Sequence, residues 1–314
     1  MFKPEGIYVA MLTPFKDGKV NEPVLRQIVE FQIQKGVHGL FPVSSCGEFI
    51  QMDFAEKVRC MEIVVDQAAG RISVTPGVTA PNPDQSIALA REAKRLGCSG
   101  VVICPPYFLP VSQETIERHF ELLADNVDIP VILYNIPAFT TPITYDVVKR
   151  LSRKPNVVAM KDSSGSIVDA VHFMDKVRAI GQQDNFNFLI GREDGLFPAL
   201  MMGAKGCMTA CAGIIPEILV SIWDSFHNKE YDKARELQFS FLNLLRAMNA
   251  LPFPVGFKLA MELRGFEMGE PMQPLSHAEK FSFVNVRSRI EKIMGALLGD
   301  YKVDVEKLVN KATA

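Results

Sequence analysis

A lysine that follows four apolar residues, Val157-Val158-Ala159-Met160-Lys161, is the position that most invites chemistry. Such a side chain is either an ordinary surface cation or an amine projecting into apolar surroundings. In the second case desolvation penalises the charged form and draws the pKa from about 10.4 toward neutrality. A neutral amine is what attack on a carbonyl requires, so Lys161 is a candidate Schiff-base lysine. Three other stretches carry groups suited to the same reaction. Tyr134, in Tyr134-Asn135-Ile136-Pro137, offers a hydroxyl that could relay protons, or simply a ring at the rim or core. The stretch Ser44-Ser45-Cys46-Gly47-Glu48 reads first as an ordinary turn, yet its hydroxyls and backbone N–H groups could cradle a carboxylate. The acids of Gly191-Arg192-Glu193-Asp194-Gly195 could bind substrate hydroxyls, or serve as helix N-terminal carboxylates favoured by the helix dipole.

Other chemistries lack their signatures. The histidines at 38, 119, 172, 227 and 277 show no metal-ligand spacing, and the cysteines at 46, 60, 98, 104, 207 and 211 form no CxxC pair, so no metal is expected. Asp162-Ser163-Ser164-Gly165 is not a GxSxG nucleophile elbow, and there is no GxxxxGK[ST] phosphate loop. A net charge of −2 without a basic stripe argues against nucleic acid as a partner. The apolar runs fall short of the ~20 residues a membrane helix needs, and the first residues lack a signal-peptide pattern. Scattered thiols suit a reducing compartment, so a cytoplasmic protein is expected.

The elements that must position these residues follow from periodicity. The chain has 314 residues, 48% of them hydrophobic, enough for a large core. Eight short, nearly continuous apolar runs read as buried parallel strands: 7–12, 39–43, 72–78, 100–104, 131–134, 157–160, 186–190 and 206–208. Between them, amphipathic stretches predict helices over 24–34, 55–68, 84–96, 113–125, 145–151 and 167–180. Asn21, Asp53, Asn82, Ser112, Thr144 and Ser166 are candidate N-caps, and Gly36, Gly70, Gly97 and Gly181 candidate C-terminal caps. Eight strand–helix units without a GxGxxG turn favour a closed (β/α)8 TIM barrel over an open doubly wound sheet, so the fold class is α/β. After residue 215 strand signals cease, and helices are predicted over 216–228, 231–250, 254–264, 277–298 and 303–311. The expected division is a barrel over 1–228 and a C-terminal helical extension over 229–314, packed on the barrel.

Taken together these motifs resemble the dihydrodipicolinate synthase/N-acetylneuraminate lyase family of pyruvate-type class I aldolases. The likeness spans nearly the whole chain, from Gly6-Ile7-Tyr8-Val9-Ala10-Met11-Leu12-Thr13-Pro14-Phe15 onward. Its anchors are the 44–48 turn, Tyr134-Asn135-Ile136-Pro137, Lys161-Asp162-Ser163-Ser164-Gly165 and Gly203-Ala204-Lys205-Gly206. The resemblance implies that Lys161 forms the Schiff base and Tyr134 shuttles protons. Ser45 and Cys46 match the two hydroxyl residues of the family's GTTGE or GSTGE turn, which holds the 2-oxo acid carboxylate. It further implies a homotetramer with no metal or organic cofactor, acting on a small 2-oxo acid and an aldehyde.

Departures from the family pattern bear on the substrate. Ser44 stands where the family commonly has Gly, and Cys46 replaces the usual second Thr, a weaker donor. Phe108 takes the place of a tyrosine that reaches the neighbouring subunit's site, which leaves Tyr107 as the nearest substitute hydroxyl. Phe139 stands where the synthase branch carries an Arg for the second substrate's carboxylate. The Glu193-Asp194 pair echoes the lyases' acidic pair in reversed order, whereas Ala210 replaces the sialic acid lyase's hydroxyl residue. The expectation is a carbon–carbon lyase of the lyase/sugar-acid aldolase branch, acting on a 2-oxo-3-deoxy sugar acid. Ser163, Gly191, Glu193, Asp194 and Phe139 are the candidate specificity contacts. The alternatives are dihydrodipicolinate synthase-type condensation, sugar-acid dehydration, and a non-catalytic 2-oxo acid sensor.

Overall fold

Runs of β-branched and apolar residues place side chains on both faces of a strand, and such strands need cover on both sides. In the computed structural model, which describes residues 2–309, they form eight strands. These are β1 (Gly6–Ala10), β2 (Gly39–Phe41), β3 (Ser73–Val74), β4 (Val101–Ile103), β5 (Val131–Asn135), β6 (Val157–Asp162), β7 (Asn187–Ile190) and β8 (Gly206–Thr209). They lie side by side in the order β3-β2-β1-β8-β7-β6-β5-β4. Just beyond β3, a parallel bridge joins Gly77 to Val102 of β4. Val102 donates to the Pro76 carbonyl and receives the Val78 N–H, each at 2.9 Å, and these bonds close the ring. The fold is a (β/α)8 TIM barrel, and all eight predicted strands are present.

The connecting helices α1 (Glu22–Gln34), α2 (Phe54–Ala68), α3 (Pro83–Arg95), α4 (Gln113–Asn126), α5 (Tyr145–Leu151), α6 (Ile167–Arg178) and α7 (Leu196–Met201) are followed by a C-terminal helical series. That series runs α8 (Cys211–Ile214), α9 (Pro216–His227), α10 (Tyr231–Ser240), α11 (Leu242–Met248), α12 (Val255–Arg264), α13 (His277–Leu298) and α14 (Val305–Val309). The chain groups into two compact units. One comprises the chain up to Tyr8, His38–Phe41 and Ser73–Thr209, and holds nearly the whole ring of strands. The other comprises Val9–Val37, Pro42–Ile72 and the chain from Ala210 onward, and holds α1, α2 and α8 to α14.

Four of the six predicted N-caps accept a backbone N–H through the side chain: Asp53, Asn82, Ser112 and Ser166. Asn21 and Thr144 do not. At Asn21 the second helical residue is Pro23, which removes one of the two N–H groups an N-cap side chain can take. Gly36, Gly70, Gly97 and Gly181 all adopt the positive φ expected of them. The single helix predicted over 231–250 is instead two, α10 and α11, because the chain turns at Phe241 and buries its ring completely. Helices α7 and α8 have six and four residues, too few to show a period of 3.6. An unanticipated hairpin pairs Phe15–Lys16 with Lys19–Val20 around Asp17-Gly18, both at positive φ as a two-residue turn requires. Of the last predicted helix, residues 310 and 311 lie outside the described residues.

The Asp53 cap on α2 accepts from the Glu56 N–H at 2.7 Å. Asp53→Ala should lower stability by about 1 kcal/mol in urea unfolding; an unchanged midpoint would show that the cap contributes nothing.

Candidate active site

Strands β5 and β6 begin in register, Val131 opposite Val157, and then slip by one residue, so that Ile132 faces Ala159. Val158 is the extra residue of this bulge, and the shift persists to the ends of both strands. Tyr134 therefore pairs with Lys161, and Asn135 with Asp162. Side chains alternate along a strand, so the first pair shares one face and the second pair the other.

Lys161 is 3% exposed. Its Nζ lies 4.0 Å from the centroid of the Tyr134 ring and 4.9 Å from that of Phe41. Phe41 comes from β2, on the opposite side of the ring of strands, so the amine lies in the barrel interior rather than in solvent. Among the described residues Lys161 forms no ion pair. Two buried thiols are close enough to sense its charge: Cys104, pushed up to about 11 by burial, and Cys207, pushed up to about 12 by the same cause. Both stay neutral at ordinary pH and supply no counter-ion to the amine. Aromatic faces are the main electrostatic company of this nitrogen.

The next two residues build the support. Asp162 is fully buried; its carboxylate accepts from Asn135 Nδ2 at 2.7 Å and from the Ser164 hydroxyl at 2.7 Å. Asn135 Oδ1 in turn accepts the Ile143 N–H at 3.0 Å. This network locks the ends of β5 and β6 behind the pair that faces inward. Burial raises the Asp162 carboxyl above its ordinary range, against the lowering effect of these hydrogen bonds. Gly191, at the end of β7, donates to the Asp162 carbonyl at 2.6 Å. A Cβ there would fall on the Ser163 hydroxyl and 2.9 Å from Lys161 Cε, so only glycine lets the lysine stem pass.

The structure brings together Lys161, Tyr134, Ser163 and Gly191, and separates the two acids. Glu193 is buried, whereas Asp194 is turned outward into an exposed pair with Arg192 at 3.2 Å. Phe139 is 54% exposed on the loop after β5, and Phe108 is 91% exposed at a φ of 76°. Tyr107 is half-buried and bridges to Thr140 of that same loop. Phe41, Asn135 and Asp162 are site residues that the sequence reading gave no role. Asn135 and Asp162 sit beside Tyr134 and Lys161 in the quoted motifs and were legible as neighbours. Phe41 looks like any core residue of a strand, and nothing local sets it apart.

In the second unit, the 43–48 turn is bracketed by two non-glycine residues in the left-handed region, Val43 at φ 55° and Glu48 at φ 60°. For a β-branched residue such a conformation costs on the order of 1–3 kcal/mol and must be held by its surroundings. Ser44 Oγ donates to the Met11 carbonyl at 2.9 Å, and Cys46 Sγ to the Ala10 carbonyl at 3.0 Å. The buried thiol is thus turned toward the backbone of β1. Gly47 fits where a Cβ would meet the Met11 carbonyl at 2.8 Å. Ser45 is the one residue of the Ser44–Glu48 stretch that is not buried.

The chain is similar to known proteins along most of its length. Residues 3–292 match the model of the dihydrodipicolinate synthetase family. A 4-hydroxy-tetrahydrodipicolinate synthase of Pelobacter propionicus is 37% identical over 284 residues, covering 89% of this chain and 96% of its own. The crystal structure of dihydrodipicolinate synthase from Aquifex aeolicus superposes with a TM-score of 0.86 at 26% identity, covering 92% of this chain and 98% of its own. YagE, a prophage protein of the dihydrodipicolinic acid synthase family from E. coli K12 solved in complex with pyruvate, gives 0.85 at 26% identity, with 92% and 98% covered.

Two substitutions probe the support. Gly191→Ala should displace Lys161 and cut the rate of any reaction at Nζ by about tenfold or more, while the fold survives by circular dichroism; undiminished reactivity would show that the close approach is not needed. For Asp162, a folded-state pKa raised above the unfolded value means that the native state holds its proton more tightly. That contribution is intact below the unfolded pKa and is lost as pH rises through the folded one. Asp162→Asn removes this titration. In urea unfolding the variant should therefore gain on the native chain as pH is raised from about 4 to about 7. A gap between the two that is independent of pH would contradict the assignment.

Proposed function

The chain belongs to the dihydrodipicolinate synthetase family, pyruvate-dependent class I aldolase-type enzymes, and from that premise we propose that Lys161 forms a Schiff base with pyruvate, whose enamine condenses with an aldehyde. The observation that carries this reading is the register pairing of Tyr134 with Lys161, which sets a phenol beside a buried amine that forms no ion pair among the described residues.

The chemistry follows from those two groups. Neutral Nζ adds to the C2 carbonyl of pyruvate, and the carbinolamine loses water to give an iminium. The aromatic faces of Tyr134 and Phe41 that flank an ammonium flank this cation equally well, so the positive charge needs no carboxylate beside it. Electron withdrawal by the iminium makes a C3 proton removable, and an enamine forms. C3 then adds to the aldehyde carbon, the new alkoxide takes a proton, and hydrolysis returns the free amine. Tyr134 is assigned the proton transfers, a role worth ~10²–10⁴ in rate. The turn at Ser45 and Cys46 is assigned the pyruvate carboxylate; with the thiol donating to Ala10, Ser45 and the backbone N–H groups carry most of that task.

The relatives are synthases, which supports condensation ahead of the sugar-acid cleavage expected from Phe139. A second reading keeps one observation in its favour. An exposed phenyl ring at 139 cannot grip a carboxylate, and the buried Glu193 suits hydroxyls, so a 2-oxo-3-deoxy sugar acid is the competing substrate. Ser163, Gly191 and Asp194 complete the assigned contacts. The same reading places the enzyme in the cytoplasm as a homotetramer; its six cysteines are buried and none forms a disulfide among the described residues. Among the described residues no helix is long and apolar enough to cross a membrane, and no cluster of three metal-ligating side chains occurs.

Intact mass after treatment with pyruvate and borohydride should show one reduced adduct on the native chain and none on Lys161→Ala. No native adduct, or one that persists in the variant, would defeat the assignment. On the native enzyme, product analysis with aspartate semialdehyde plus pyruvate, set against release of pyruvate from a 2-oxo-3-deoxy sugar acid, separates condensation from cleavage.

A further inference from the structure

Within the second unit, one buried ion pair reaches the turn assigned to the substrate carboxylate. Lys258, on α12, places its Nζ 2.9 Å from Glu48 Oε1, with the two side chains 4% and 2% exposed. The other carboxylate oxygen accepts the Met272 N–H at 2.7 Å. Lys258 also donates to the Glu270 carbonyl at 3.4 Å and lies 4.8 Å from the centroid of the Phe15 ring. The segment it touches is itself tied down, since Phe15 donates its N–H to the Met268 carbonyl at 3.0 Å.

Glu48 is the end of the turn, and its backbone adopts φ 60° and ψ 35°, which an L-residue holds only when its surroundings impose it. Its own N–H donates to the Ser45 carbonyl at 3.2 Å, and the Gly47 N–H to the Ser44 carbonyl at 3.0 Å. Two hydrogen bonds therefore connect Lys258 to the Ser45 peptide: Nζ to the Glu48 carboxylate, then the Glu48 N–H to the Ser45 carbonyl. A buried carboxylate that loses its cation is left uncompensated, and it either takes up a proton or swings toward water. Either response releases the left-handed backbone at Glu48 and, with it, the orientation of the Ser45 and Cys46 amides.

We propose that Lys258 is a positioning residue for 2-oxo acid recognition, acting through Glu48 to hold the Ser44–Glu48 turn in its carboxylate-binding shape. This rests on the Schiff-base reading above and deepens it. Lys258 touches no reacting atom, so its removal should weaken recognition of the carboxylate and leave the intrinsic reactivity of Lys161 alone.

The test compares two carbonyl probes on the full chain, pyruvate and acetone, the second lacking the carboxylate. Each is trapped with borohydride and quantified by intact mass. Lys258→Met should raise the pyruvate concentration for half-maximal trapping by about tenfold or more, the range for one hydrogen bond to a charged group. The acetone trapping rate should stay within about twofold. Lys258→Arg, which keeps the charge, should recover most of the pyruvate affinity. Should Lys258→Met fail to fold, Glu48→Gln/Lys258→Met leaves no buried charge and is read in the same way. Equal losses with pyruvate and acetone, or an unchanged pyruvate response, would overturn the proposal. A native chain that traps acetone but not pyruvate would sink the pyruvate reading itself, whereas native trapping of pyruvate with an indifferent variant sinks only the role of Lys258.

Discussion

The slip of one residue between β5 and β6 is the constraint on which the site depends. Had the register at Val131 and Val157 run on unbroken, Tyr134 would stand opposite Met160 and Lys161 opposite Asn135. In a strand of period two, a one-residue shift exchanges the faces that neighbours share. The bulge at Val158 makes phenol and amine partners on the inner face, and it makes Asn135 and Asp162 partners behind them. This pair and its support are thus consequences of one irregularity in hydrogen bonding, placed three residues before the lysine.

Burial then does the rest, in opposite ways on the two faces. On the inner face Lys161 lies against two aromatic rings, with neutral thiols close by, an environment that tolerates a cation without an ion pair. A carboxylate there would stabilise the ammonium and compete with the chemistry an amine has to perform. On the outer face the Asp162 carboxyl is buried too, but every bond it makes comes from a short polar group within the same strand ends. That arrangement stiffens the strand ends without placing a charge beside Nζ. Gly191 completes the fit by yielding the volume that the lysine stem occupies.

Three of the residues at which this chain departs from or echoes the family pattern are less tightly held than the Tyr134–Lys161 pair. Phe139, Phe108 and Asp194 are exposed, on loops or short turns that follow the strands. Loops of this kind tolerate replacement at small cost to the barrel. The carboxylate turn is the opposite case, since its strained backbone is fastened by buried bonds to the backbone of β1 and to α12. The turn is thus held rigidly by buried contacts, whereas Phe139, Phe108 and Asp194 are not.

Sequence alone determined the alternation of eight apolar runs with amphipathic helices, four of the six side-chain caps, and the motifs that carry Lys161, Tyr134 and Ser45. These are local signals: periods of two and 3.6, a capping residue three positions from its partner, a short run of residue types. The break at Phe241, the bulge at Val158, the ring of Phe41 over Lys161 and the pairing of Lys258 with Glu48 were not legible in this way. Each depends on which segments meet, and the last joins residues 210 positions apart. Only tertiary structure decided them, because register, close approach and buried charge pairing are set by contacts between segments that no local pattern specifies.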